Sequence, residues 1–155
     1  MICRLFLLLF LSCTQACDYD AVIEYIKSCD DSNTDFKLSN VGLTLDADCK
    51  LVPKGCVQLS KANAKISVKY EVFKGSPVPL LKGSKEACGL KVNNWTLKCP
   101  TKKDDKICVQ PDWKFDIPKQ ALSLASSGKV RLVVHVTSDT GSACFEGQGY
   151  LKKKN

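Results

Sequence analysis

Cysteine is the residue type whose number and spacing bear most directly on chemistry in this chain. Ten cysteines occur among 155 residues. Cys3 and Cys13 fall in an apolar leader; the others are Cys17, Cys29, Cys49, Cys56, Cys88, Cys99, Cys108 and Cys144. An even set in an exported chain of this size reads as a disulfide framework of four bridges, with more pairings than spacing alone can choose among. No Cys-x-x-Cys occurs, which argues against structural zinc and thioredoxin-like redox chemistry. The single histidine, His135, falls on the polar side of an alternating apolar strand and has no partners for a triad or a metal cluster. The adjacent aspartates Asp30-Asp31 and Asp104-Asp105 sit in polar, turn-like stretches. Neighbouring residues on a strand point to opposite faces, so neither pair suits acid–base work on one substrate. No Gly-rich phosphate loop or G-x-S-x-G elbow is present. The chain reads as a non-enzyme without cofactor or metal.

The formal net charge is +7, one unit of it Arg4 in the leader, and residues 74–106 hold eight lysines against three acids. Such a surface either solubilises the protein or attracts anionic partners such as lipid headgroups and anionic membranes. Nucleic acid is a poor fit, because interleaved aromatics on a basic face are missing and the chain is exported.

The elements that must position these residues are strands. Ile66, Val68, Tyr70 and Val72 alternate with Ser67, Lys69 and Glu71, the period of a half-buried strand. Trp113, Phe115 and Ile117 alternate with Asp112, Lys114 and Asp116, and Pro118 ends that run. Val130 to Thr137 places Val130, Leu132, Val134 and Val136 on one face, and Cys144 to Leu151 forms a last strand loosened by Gly147 and Gly149. Phe36 to Leu45 alternates twice with a phase break near Asn40-Val41, where a bulge or turn resets the apolar face. Pro53 and Gly55, between Cys49 and Cys56, predict a turn between strands. Gly75-Ser-Pro-Val-Pro-Leu-Leu81 predicts an extended edge or loop with apolar side chains, since proline cannot donate to a central ladder. Asp20 to Lys27 predicts a short helix or irregular arm, and Lys119 to Gly128 at most a brief helical turn. Many short strands with turn signals between them predict an all-β, antiparallel β-sandwich.

Residues 1–16 read as a secretory signal: Arg4, an apolar run from Leu5 to Leu11 too short to span a bilayer, and small residues before Cys17. Residues 17–155 then form a single domain. Asn94-Trp95-Thr96 is an N-glycosylation acceptor, which places Asn94 at the surface.

The ordered set Cys56-Val-Gln-Leu-Ser-Lys, the alternating strand, Pro77-Val-Pro79, the Cys88 and Cys99-Pro100 pair, and a late Cys144 resembles the ML (MD-2-related lipid-recognition) family, most closely its Niemann–Pick type C2-like and group 2 mite allergen branch. The resemblance covers nearly all of the chain after the leader. It implies an immunoglobulin-like sandwich of two splayed sheets holding an apolar ligand, a sterol, fatty acid or phospholipid-like molecule, in a secreted or lysosomal-lumen protein. It implies bridges Cys29–Cys144, Cys49–Cys56 and Cys88–Cys99, leaving Cys17 with Cys108. The candidate cavity lining is Val68, Tyr70, Val72, Val78, Leu80, Phe115, Ile117, Leu132, Val134, Val136 and Phe145. Lys82, Lys85, Lys91, Lys98, Lys102 and Lys103 are candidates to meet headgroups or anionic membranes during transfer by a monomer. Two other readings stay open: a secreted immunoglobulin-like recognition module with a filled core, and a protease inhibitor presenting the Gly75–Lys85 loop.

Overall fold

Inward and outward positions alternate along nearly every strand, and this places two antiparallel sheets face to face. The computed structural model describes residues 17–29 and 35–154; the expected leader at 1–16 and the Asp30-Asp31 pair lie outside the described residues. The elements are β1 (Tyr19–Ser28), β2 (Phe36–Leu45), β3 (Leu51–Leu59), β4 (Ile66–Phe73), β5 (Leu81–Glu86), β6 (Lys91–Val92), β7 (Trp95–Thr96), β8 (Lys106–Cys108), α1 (Lys119–Ser126), β9 (Val130–Ser138) and β10 (Ser142–Lys153). One sheet has the order β1-β10-β9-β4-β5, the second β2-β3-β8, and β6-β7 is a separate hairpin. The sheets meet where Phe36 and Leu59 of the smaller sheet bury against Ala143 of the larger, with Val57, Ile107, Val136 and Phe145 packed around them.

A polar clasp closes this end. Asn63, fully buried, accepts from the Thr140 hydroxyl at 2.6 Å and donates to the Lys61 carbonyl at 2.8 Å. The Asp139 carboxylate accepts the Ala64 and Lys65 N–H groups at 2.9 and 3.1 Å. The β3–β4 connection is thereby tied to the β9–β10 hairpin. Both sides of Asn63 are satisfied, which is what makes a fully buried amide tolerable.

Four sequence expectations need correction. The segment Asp20–Lys27 is strand, not helix: it lies within β1 and pairs with β10. The register shifts between Ile23 and Tyr25, so Ile23 opposes Gly149 and Ile26 opposes Gly147 on one face. The bulge turns a period of two into a spacing of three, which mimics a helical pattern. The turn expected at Pro53-Gly55 lies earlier, at Asp46–Lys50, where the Asp46 carboxylate accepts N–H groups of Asp48 and Lys50. Pro53 instead sits within β3, between the Leu51–Phe115 bridge and the β8 ladder. The strand expected at Trp113–Ile117 makes one isolated bridge, Phe115 with Leu51, because a turn at Gln110–Trp113 on one side and Pro118 on the other leave no length to pair. The phase break in β2 is a bulge between Ser39 and Gly42, with Asn40 at φ 53°.

The fourth correction concerns the disulfides. They join Cys17–Cys49, Cys29–Cys144, Cys56–Cys108 and Cys88–Cys99. Cys49–Cys56 and Cys17–Cys108 are overturned. With Pro53 and Gly55 inside β3, Cys49 and Cys56 are separated by extended chain of roughly 20 Å, well past the ~7 Å Cα limit for a bridge. Cys56 is instead the direct cross-strand partner of Cys108, at a Cα distance of 4.0 Å. Cys17 bonds through its N–H to the Ala47 carbonyl and bridges to Cys49 beside the β2–β3 turn.

Candidate functional site

The two sheets touch at one end and part along their length. On β2, exposure rises from 3% at Phe36 to 38% at Leu38 on the same face. On β9 the inward row runs from Val136, packed in the core cluster, to Leu132 at 41% exposed. On β4 it runs from buried Ile66 to half-buried Val68, Tyr70 and Val72. Burial returns at Leu151, at the far end of β10, the strand against which α1 packs.

The large apolar residues that the strands leave exposed are Ile23, Ile26, Leu38, Val41, Leu81 and Leu132. Every one of them points inward. Ile23 and Ile26 lie opposite the inward glycines of β10, Leu81 opposite Val72, Leu132 opposite Val72 and Gly147, and Leu38 opposite Val57, while Val41 approaches Gly55. A filled sandwich shows the reverse, with inner positions buried and only outer ones wet. The space between the sheets is therefore an apolar trough open to solvent. On its floor Ile26 and Ile23 reach over the bare backbone of Gly147 and Gly149.

Seven of the eleven lining candidates fall on this inner face in one contiguous register: Val68 beside Val136, Tyr70 beside Val134, Val72 beside Leu132, and Phe145 beside Val134. Val136 and Phe145 pack in the closed cluster, while the other five stand above it. Phe115 shares the inner face through its bridge to Leu51, and Ile117 is half-buried nearby in sequence. Val78 and Leu80, at 66% and 55% exposed, precede inward Leu81 and form the lip rather than the wall. Ile23 and Ile26 escaped sequence reading because a bulge hid their phase, and Leu38 and Val41 because Asn40 did.

The Cys88–Cys99 loop leaves β5 at the closed end, where the Ala87 N–H bonds to the Ile66 carbonyl. Its β6–β7 hairpin is held to the Gln110–Trp113 turn by Asn93, whose side-chain amide donates to the Asp112 carbonyl and carboxylate at 3.0 and 3.2 Å. Trp95 meets Trp113 edge-to-face at 5.1 Å. Trp113 Nε1 is the one buried side-chain nitrogen or oxygen without a partner among the described residues. Asn94 is exposed at the tip of this hairpin.

All six lysine candidates are exposed, but the fold does not gather them into one patch. Lys82 and Lys85 lie on edge strand β5, Lys91 and Lys98 on the hairpin loop. Lys102 and Lys103 belong to a turn bonded to Leu59 and Asn63, at the closed end. Ion pairs cluster elsewhere. Lys129 and the Gln148 amide hold Glu24 at 2.6 and 2.7 Å and keep its carboxyl below the usual range. Lys27 at 3.1 Å, then Arg131 at 3.5 Å, do the same for Glu146. Lys114, at 2.9 Å, and the Lys50 N–H lower Asp46. Among the described residues no group of three or more His, Cys, Asp or Glu could hold a metal ion, and no helix is long and apolar enough to cross a membrane.

Comparison with solved structures adds a neighbour with this architecture. The crystal structure of chicken MD-1 complexed with lipid IVa matches with a TM-score of 0.52, at 16% identity, over 88% of this chain and 94% of that one. The chain has the fold of MD-1. At this identity the likeness supports an ML-type fold without selecting a branch of it. No family model and no curated protein matches the chain. The four disulfides fit a protein of an oxidising, extracellular-type compartment.

Proposed function

We propose that this protein is an exported carrier that holds the apolar part of a lipid (a sterol, fatty acid or phospholipid-like molecule) in the trough between its sheets. The observation that carries this reading is the inward orientation of the exposed apolar residues Ile23, Ile26, Leu38, Val41, Leu81 and Leu132. Covering the exposed two-fifths or so of five of these side chains, and the exposed half of Leu81, recovers about 4–8 kcal/mol in all before the costs of association. A guest that also buries its own chain gains further by about 0.8 kcal/mol per methylene. The MD-1 structure, which holds lipid IVa in the same fold, supports a lipid as guest. Binding of this kind needs no nucleophile, acid or base, so the chain acts as a carrier and not as a catalyst.

The guest passes the Pro77–Leu81 lip, with Phe115 and Ile117 on the facing side. Lys82, Lys85, Lys91 and Lys98 meet anionic headgroups or membranes during transfer, and Lys102 and Lys103 serve solubility. The leader at 1–16 directs export, and Asn94 carries an N-linked glycan. The test is mass spectrometry of the protein purified natively from a eukaryotic secretory host. A stoichiometric lipid in the organic extract is the expected result. A protein that arrives empty and takes up neither labelled cholesterol nor labelled fatty acid overturns the reading.

A further inference from the structure

The outer side of the five-stranded sheet carries a second concavity, turned away from the trough. Its volume is about 480 Å³, and its walls include Phe73, Lys74, Ser76, Lys129, Arg131 and Gln148. Phe73 pairs with Arg131 and Arg131 with Gln148, so alternation puts all three on the outer face, while their neighbours Val72 and Leu132 point in. Three cations line it and no acid does.

The cations are held ready. The Arg131 guanidinium stacks on the Phe73 ring at 4.3 Å. Its single 3.5 Å contact with Glu146 leaves most of its five donors unused. Lys74 donates to the Leu124 carbonyl and the Ser127 hydroxyl, both neutral, so its charge is not cancelled. Lys129 and Gln148 are both held by the Glu24 carboxylate. Ser76 Oγ accepts the Val78 N–H at 3.1 Å and keeps its own proton to donate. Glu146 is shared with Lys27, and neither it nor Glu24 is among the residues that line the concavity.

We propose that this concavity binds a tetrahedral oxyanion, the phosphate or sulfate ester group. Cationic and neutral donors lining one concavity suit such a group, since charge-assisted bonds from guanidinium and ammonium to phosphate are the strong ones. The oxyanion has two sources: the headgroup of a lipid whose chains lie in the trough, reaching round Gly75-Ser76 from the adjoining lip, or a free phosphate or sulfate ester.

The test uses the delipidated full chain, titrated at constant ionic strength with inorganic phosphate and, separately, with dihexanoyl phosphatidic acid as dispersed monomer. Backbone amide shifts in residues 73–76 and 129–131 are followed by NMR. Saturable shifts are expected there, and Lys129→Gln and Arg131→Gln each weaken binding by about ten- to a hundredfold, the loss of one charge-assisted hydrogen bond. Lys69→Gln, on the same outer face but outside the concavity, leaves binding unchanged. Melting curves establish that each variant folds. Binding of phosphate alone identifies a free ester as ligand, and binding of phosphatidic acid alone identifies a headgroup; either upholds the site. No saturable shift with both ligands, or equal weakening by Lys69→Gln, overturns it. Fatty-acid uptake by the same samples tests the trough separately, so the two proposals fail independently.

Discussion

Leu132→Trp puts the open trough to its hardest test. Leu132 lies on the inner face, 41% exposed, with Gly147 across the β10 ladder and Val72 across β4. An indole there occupies space that a guest would fill with two to three methylenes. At about 0.8 kcal/mol per methylene the loss is about 2 kcal/mol, roughly thirtyfold in Kd. Because the position is already wet, stability should change by no more than about 0.5 kcal/mol. A filled core gives the opposite pair of results: no ligand to lose, and overpacking that costs about 1–3 kcal/mol. The assay is displacement of a fluorescent fatty acid alongside thermal melting, with Phe36→Ala as reference. Phe36 is 3% exposed in the closed cluster, and its truncation should cost about 3–5 kcal/mol. Unchanged uptake in Leu132→Trp, or a melting loss approaching that of Phe36→Ala, refutes the reasoning.

Four further outcomes follow from the same structure. Asn63→Ala strips the clasp of its centre, removes the bonds to the Lys61 carbonyl and the Thr140 hydroxyl, and should cost about 1–3 kcal/mol in urea unfolding; a loss below half of that range would mean the clasp is ornamental. Replacing Cys29 and Cys144 by serine should destabilise by about 5 kcal/mol and replacing Cys88 and Cys99 by about 3, since chain entropy scales with bridges spanning 115 and 11 residues; the reverse order would show that local packing, not loop closure, sets the effect. Glu24, Glu146, Asp46 and Asp139 are all held below the usual carboxylate range, by Lys129, Lys27, Lys114 and the Lys65 N–H first in each case. Their contribution is complete at neutral pH and is lost as pH falls through that range, below about 4, so the melting temperature should drop there, and by less in Asp139→Asn; a flat profile from pH 6 to 3 contradicts this. Neutralising Lys82, Lys85, Lys91 and Lys98 should slow delivery of labelled lipid to anionic vesicles at low salt and spare delivery to neutral ones, whereas neutralising Lys102 and Lys103 should leave both unchanged.

What the sequence made legible is what a period of two can carry. Val68, Tyr70, Val72, Leu132 and Val134 lie in regular ladders, and their shared face could be read without the structure. Ile23, Ile26, Leu38 and Val41 flank irregularities, and a bulge erases the pattern that would have placed them. The bridges of Cys17, Cys49, Cys56 and Cys108 depended on whether Pro53-Gly55 bends the chain, a question of partner strands that no local signal answers. The outer concavity left only a trace. Phe73 and Val133 are apolar where alternation asks for polar, and both are buried on the outer face. Such out-of-phase residues show that something covers that side, but not that Lys129, Arg131 and Gln148 converge there.

The open trough and the disulfides are two sides of one physical constraint. A sandwich that leaves inward Ile, Leu and Val side chains wet forgoes part of the burial that stabilises an ordinary domain. Here the buried cluster between the sheets is small, Phe36, Leu59 and Ala143 with their neighbours. Four bridges make up the difference by restricting the unfolded chain, which requires no apolar contact. Their placement follows the same logic. Cys29–Cys144 joins β1 to β10, Cys56–Cys108 joins β3 to β8, and Cys17–Cys49 ties the start of the chain to the β2–β3 turn. Within these three bridges no link runs from the inner face of one sheet to that of the other across the trough. The fold is thus held at its edges and ends, and the space between the sheets stays available without the empty protein having to collapse into it.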